Sequence, residues 1–190
     1  MNPKMINPRN SAALLAFLML LGVVIACNKT ATTNETEQAN KLVQEGNKAV
    51  DEAKTFITDA EAKKTKMMQT DVRRLAEARV TAAEAIAAYD KAATKCKEAA
   101  QKYDEASRLK IGDKFKEYLI LKVKEYQKRG ELIDTAKGTP QALIESTNRS
   151  SFAIRANSNN AKVDQLRKEA DAIAAQADKL QKDNPDIFKS

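Results

Sequence analysis

Two cysteines, Cys27 and Cys96, and the absence of histidine limit the chemistry open to this chain of 190 residues. Histidine is the commonest general base and metal ligand in proteins, so its absence argues against both roles. The chain also contains no glycine-rich phosphate loop, nucleophile elbow or metal-ligand spacing. We therefore predict no enzymatic activity and no catalytic, cofactor-binding or metal-binding residues.

Cys27 directly follows an apolar run that covers residues 11–26. Lys4 and Arg9 are the only charged residues before it. Sixteen residues are short for a membrane span, which needs about 20. A basic start, a short apolar run and small residues at its end are typical of a signal peptide, which we assign to residues 1–26. The alternative is an uncleaved, tilted membrane helix with an incidental cysteine.

The residues Val24-Ile25-Ala26-Cys27 resemble the lipobox of bacterial lipoproteins, in which a small residue precedes the cysteine. The resemblance implies that the Cys27 thiol takes a diacylglycerol and that a peptidase then cuts before it. Two or more acyl chains anchor a protein stably in a membrane. The same resemblance concerns sorting: many enterobacterial lipoproteins kept at the inner membrane have Asp after the cysteine, so Asn28 implies the outer membrane, facing the periplasm, in a host with two membranes.

After such processing Cys96 is the only thiol, so no intramolecular disulfide can form and the fold depends on packing. Four stretches predict helices, and in the first, second and last of them mostly apolar residues lie alternately three and four positions apart, the period of packed helices. The first contains Ala39, Val43, Gly46, Val50, Ala53, Ile57 and Ala60. The second contains Leu75, Arg79, Ala82, Ile86, Tyr89, Ala93, Cys96, Ala100 and Tyr103. The third contains Phe115, Leu119, Val123, Tyr126, Ile133 and Ala136, and the last contains Val163, Leu166, Ala170, Ile173, Ala177 and Leu180.

Helix boundaries are predicted where capping and turn residues interrupt these stretches. Thr70 or Asp71 is a candidate N-cap, although one long bent helix through this point stays open. Gly112-Asp113 should end one helix and cap the next. In Lys137-Gly138-Thr139-Pro140 we expect a glycine end, a threonine cap and proline as the first helical residue. Residues 140–182 form either one helix or two.

These patterns predict an all-α protein: an elongated, antiparallel, coiled-coil-like helical bundle of three to five helices. The alternative is an α-solenoid of the tetratricopeptide type, because residues 85–106 resemble its helices, although no second copy aligns. We assign residues 27–36 to a lipidated cysteine with a flexible tether, 37–184 to the bundle and 185–190 to a short tail.

The net charge is concentrated in one segment, residues 108–129. Without residues 1–26 the chain keeps 31 basic and 26 acidic residues, a net charge of +5. The segment alone has eight basic and three acidic residues and accounts for this whole excess. Its candidate anion-binding residues are Arg108, Lys110, Lys114, Lys116, Lys122, Lys124, Lys128 and Arg129. Anionic lipid headgroups or cell-wall polymers are the expected ligands if the segment binds any, and a solvated helix face is the alternative.

Taken together, the sequence predicts a membrane-anchored lipoprotein of the cell envelope. Its helical bundle is expected to act as a spacer, an adaptor or a protein-interaction module, through a protein partner or self-association. The alternative function is capture of an anionic envelope ligand through residues 108–129. A nucleic-acid partner is not expected outside the inner membrane.

Overall fold

A computed structural model describes residues 32–185, without the side chains of Thr32, Thr33 and Val72. Five α-helices make up nearly all of it: α1 (Thr32–Gln69), α2 (Leu75–Ser107), α3 (Asp113–Ala136), α4 (Gly138–Glu145) and α5 (Arg149–Asp183). A single 3₁₀ turn, Val72–Arg74, precedes α2. The expected all-α helical bundle is confirmed. A tetratricopeptide repeat places two helices in about 34 residues, whereas α1, α2 and α5 alone have 38, 33 and 35 residues, so residues 32–185 do not support the solenoid alternative.

The four long helices lie side by side in the order α1, α2, α3, α5. Ion pairs show that α1 and α2 run in opposite directions. Glu45 pairs with Lys102, whereas Glu52, which lies later in α1, pairs with Lys95, which lies earlier in α2. An antiparallel arrangement is expected of consecutive helices that are joined by short connections. At 1.5 Å per residue, the 38 residues of α1 span about 57 Å, which makes the bundle elongated.

The α1–α2 interface is built from small residues. Ala39, Ala53 and Ala60 are buried on α1, as the spacing of the first stretch predicts. Gly46 lies under the ring of Tyr103, and a Cβ atom built on this glycine would stand 3.0 Å from Tyr103 Cε1. The close approach of the two helices therefore depends on the absence of a side chain at position 46.

Helix α2 is the centre of the bundle and is buried more widely than one stripe predicts. It contacts α1, α3 and α4, so two of its faces are covered. A second row of small residues that the stripe omitted is also buried: Ala78, Thr81, Ala85, Ala88, Ala92, Ala99 and Ala106. Leu75, by contrast, is 42% exposed because it is the first residue of the helix, and its assignment to the core was wrong.

Three of the predicted boundaries differ in detail from the structure. Helix α1 begins at Thr32 rather than near residue 37, and Glu35 in its first turn accepts a hydrogen bond from the backbone N–H of Lys110. Asp113 is the first residue of α3 and not its cap. Thr139 does not cap α4, which begins at Gly138, because its hydroxyl is buried against Asn159 and Asn160 of α5.

Two open questions about helix number are also decided. Asp71 caps the 3₁₀ turn by accepting a hydrogen bond from Arg73 N–H, so α1 and α2 are separate helices. Residues 140–182 belong to two helices, because the chain is extended at Ser146 and Asn148 caps α5 through Ser151 N–H at 2.9 Å.

The bundle has two ends, which are formed by different connections. The N-terminal end is formed by the first turn of α1, the α2–α3 connection (residues 108–112) and the last turn of α5. The α4 end is formed by the α1–α2 connection (residues 70–74), α4 and the first turns of α5. It is held together by a small apolar cluster of Met67, Ala78, Ala82 and Leu143 and by a hydrogen bond from Arg79 to the Ser146 carbonyl.

Candidate functional site

The predicted lipidation site, Cys27, lies outside the described residues, as does the predicted signal peptide of residues 1–26. What the structure adds is the position of the chain that follows, because α1 begins five residues after Cys27 at the N-terminal end of the bundle. None of the helices within residues 32–185 is both long and apolar enough to cross a bilayer.

The eight predicted anion-binding residues do not form one surface. Arg108 and Lys110 lie in the α2–α3 connection, and the other six lie on α3. Since α3 packs between α2 and α5, a helix of 3.6 residues per turn directs some of these side chains inward. Sequence clustering alone could not separate the inward from the outward positions.

Five of the eight make ion pairs. Arg108 pairs with Asp104, Lys114 with Glu117, Lys122 and Arg129 with Glu125, and Lys128 with Glu131 and Glu169. The remaining three, Lys110, Lys116 and Lys124, are exposed and have no ion pair with any described residue. These three are the part of the segment that an external anion could reach without displacing an acidic side chain.

Glu125 is the centre of a buried charge cluster that the sequence reading missed. Its side chain is fully buried, and it accepts bonds from Lys122 Nζ at 2.6 Å and from Arg129 Nε at 2.8 Å. Arg129 continues to Asp171 of α5 at 3.4 Å. Both carboxylate oxygens are therefore occupied by basic side chains of the same helix, and Arg129 extends the cluster to α5. The signal available in the sequence was a glutamate that lies three positions after Lys122 and four before Arg129. It also directly precedes Tyr126 of the third apolar stretch.

Tyrosines and one thiol surround this cluster. The rings of Tyr103 and Tyr126 lie 5.6 Å apart, and Lys122 Nζ lies 4.9 Å from the centre of the Tyr126 ring. Burial raises the pKa of Tyr103 and Tyr126 well above the usual range, so both stay protonated. Burial likewise raises the pKa of the Cys96 thiol to about 12. The side chains in this interior are therefore poor nucleophiles.

A shallow groove runs between α4 and α5 and is open to solvent. Its volume is about 490 Å³, and its walls include Gln141, Glu145, Ile154, Arg155 and Asn159. Glu145 and Arg155 pair with each other across it at 2.7 Å. Within residues 32–185, no group of three or more carboxylate or thiol side chains is arranged to hold a metal ion.

Comparisons with protein-family models, with characterised proteins and with solved structures find no match for this chain.

Proposed function

We propose that this chain is a lipoprotein of the bacterial envelope, anchored through lipid on Cys27, whose helical bundle serves as a spacer and adaptor. The observation that carries the proposal is the Val24-Ile25-Ala26-Cys27 motif at the end of a short apolar run. A thiol next to a small residue suits lipid transfer followed by cleavage of the preceding peptide bond. Asn28 favours the outer membrane as the site of the anchor in a host with two membranes.

The shape of the bundle supports the spacer role. Since α1 starts five residues after Cys27 and spans about 57 Å, an anchor at its start would hold the α4 end well away from the membrane. Three reactive side chains of the interior, Cys96, Tyr103 and Glu125, are buried. A scaffold of this kind acts by positioning a surface.

Metabolic labelling with palmitate tests the anchor. We expect the wild-type chain to carry label and Cys27→Ala to lose it. The matched control is Cys96→Ala, which should keep the label because its thiol is buried in the bundle. Equal label in wild type and Cys27→Ala, or loss of label only in Cys96→Ala, would refute lipidation at Cys27.

Anion binding through residues 108–129 is the second candidate function, and the exposure of Lys110, Lys116 and Lys124 favours it. Each basic residue near an anionic surface contributes about 1 kcal/mol to binding. The triple change of these lysines to Gln should therefore release the protein from anionic vesicles, as should added salt. The control is Lys114→Gln with Lys128→Gln, whose lysines are already paired with glutamates. Equal binding of wild type to neutral and anionic vesicles would reject this candidate.

A further inference from the structure

Exposed apolar side chains are concentrated at the α4 end of the bundle. Single exposed apolar residues are ordinary on protein surfaces, so their distribution is the informative feature. Six large hydrophobic side chains are strongly exposed among the described residues, and only Ile120 of these lies elsewhere, on α3. The other five are Met68, Leu75, Val80, Ile144 and Ile154, and Ile154 is 69% exposed.

The same segments are rich in arginine. Residues 63–80 and 144–155 contain eight basic and three acidic residues, and five of the nine arginines in the whole chain. Some of this charge is compensated locally, because Arg74 and Arg155 pair with Glu77 and Glu145, and Lys63 and Lys64 pair with acidic residues of α1. Arg73 and Arg149 are exposed and have no ion pair with any described residue.

The structure brings these segments together although they are far apart in sequence. Met67, Ala78 and Leu143 pack in one cluster, which places the last turn of α1, the start of α2 and α4 side by side. The Arg79 guanidinium donates to the Ser146 carbonyl at 3.1 Å, so the start of α5 lies at the same corner. The apolar and arginine residues therefore belong to one end of the molecule.

We propose that the α4 end is a docking surface for a protein partner that presents carboxylates around apolar side chains. Arginine and methionine are enriched in protein interfaces, whereas lysine is depleted. The planar guanidinium matches a carboxylate with two parallel hydrogen bonds. This inference rests on the adaptor role proposed above. Because the proposed anchor at Cys27 holds the N-terminal end at the membrane, α1 separates the α4 end from that membrane. A protein is therefore the preferred partner.

The test uses the full-length chain, in the form in which it is recovered from cells, and two labelled peptide probes. One probe is an amphipathic 18-residue helix with leucine on one face and glutamate elsewhere, and the other has lysine in place of each glutamate. Binding is measured by fluorescence anisotropy at physiological salt. We expect the glutamate peptide to bind and the lysine peptide not to bind.

Charge reversal locates the binding surface. Arg73→Glu with Arg149→Glu should weaken binding of the glutamate peptide by about tenfold or more, because both charges then repel the probe. The matched control, Lys168→Glu with Lys179→Glu on α5, makes the same charge change at exposed positions that have no ion pair with any described residue, and it should change affinity less than about twofold. Circular dichroism of both variants verifies that the helical content is unchanged.

Several outcomes would overturn the inference. These are failure of the glutamate peptide to bind, equal binding of the lysine peptide, or equal losses in the two double variants. Binding to phosphatidylglycerol vesicles that depends on Arg73 and Arg149, without peptide binding, would assign the surface to a membrane. Self-association abolished by the same two substitutions would assign it to a second copy. Palmitate labelling is scored separately, so failure of the anchor and failure of this surface can be told apart.

Discussion

The α1–α2 interface is formed mainly by small residues and by tyrosines. The alanines and Gly46 let the two helix axes approach, and the tyrosines of α2 fill the remaining space beside them. Their hydroxyl groups reach polar partners on α1, because Tyr103 donates to Asn47 Oδ1 at 2.6 Å and Tyr89 donates to Glu61. Buried tyrosine thus contributes apolar area without leaving its hydroxyl unpaired.

Enlarging this interface should destabilise the protein. Gly46→Leu and Ala53→Leu place branched side chains against α2, where Tyr103 leaves no room over Gly46. We expect each to lower the free energy of unfolding by about 1–3 kcal/mol in urea denaturation. The control is Ala62→Leu, at an exposed position of the same helix, which should change stability by less than about 0.5 kcal/mol. Unchanged stability of Gly46→Leu would contradict the interface described here.

The Cys96 thiol should be unreactive in the folded protein. Its side chain is 2% exposed and burial raises its pKa to about 12, so the thiolate that reacts is scarce at pH 8. Titration with a disulfide reagent should be slow in buffer and fast in urea. Ala87→Cys, at an exposed position of α2, gives the comparison and should react at once in buffer. Rapid native reaction of Cys96 would show that the interior is open.

Breaking the buried charge cluster should be costly. In Glu125→Gln, Lys122 and Arg129 lose a fully buried carboxylate partner. Removing one partner of a buried pair costs about 3–5 kcal/mol, and we expect about 2–3 kcal/mol because both cations keep some solvent contact. The matched change Glu117→Gln removes the partner of Lys114 from a side chain that is 54% exposed and should cost less than about 0.5 kcal/mol. Equal effects of the two changes on urea denaturation would argue against a buried cluster.

At the scale of elements, the junction of α4 and α5 depends on a close contact at Gly138. An added Cβ atom there would overlap the Asn159 side chain, which donates a hydrogen bond to Thr139 Oγ1 at 3.1 Å. Gly138 is needed for this approach rather than for an unusual backbone angle, because it is the first residue of a regular helix. The polar residues around Asn159 belong to helix α5, and this contact packs them against α4.

A double-mutant cycle tests this junction. Gly138→Ala alone should destabilise the protein by about 1 kcal/mol, because Asn159 must turn away and lose its hydrogen bond. In the Asn159→Ala background the same change should be neutral or stabilising by about 0.5–1 kcal/mol, as alanine favours a helix over glycine. Thermal or urea unfolding of the four proteins measures the coupling. An identical effect of Gly138→Ala in both backgrounds would mean that the contact does not form.

At the scale of the whole molecule, ion pairs between helices should make stability depend on acid pH. Lys102 and Lys95 bond to Glu45 and Glu52 across the α1–α2 interface and lower the pKa of both carboxyl groups below the usual value of 4.5. A lowered pKa in the folded state adds stability above pH 4.5, and that stability is lost as pH falls through the lowered values.

Melting temperatures between pH 7 and pH 2 provide the measurement. The double variant Glu45→Gln with Glu52→Gln should lose less stability on acidification than the wild type, because two of the groups that gain protons on unfolding are gone. The opposite sign, or curves that stay parallel over the whole range, would contradict a stabilising role for these pairs.

The class of fold and most of the core could be predicted from local sequence patterns. The heptad spacing predicted the buried residues Ala39, Ala53 and Ala60 of α1 and Tyr89, Cys96 and Tyr103 of α2, because a helix turns its apolar residues to one side whatever covers them. Local capping chemistry likewise predicted a break at Asp71. The lipidation motif at Cys27 is also a local pattern, and it stays a prediction.

Which surfaces those helices cover could not be predicted from local patterns, because it depends on how the helices pack against one another. The second buried row of alanines on α2 follows from its central position between α1 and α3, which periodicity does not specify. Within the basic segment, Lys128 and Arg129 reach Glu169 and Asp171 because α3 packs against α5, and Glu125 is buried because α3 packs between two neighbouring helices. The arginine-rich α4 end joins residues near 73 and 149. Contacts between positions so distant in sequence depend on how the long helices pack against one another, and no local sequence pattern encodes this packing.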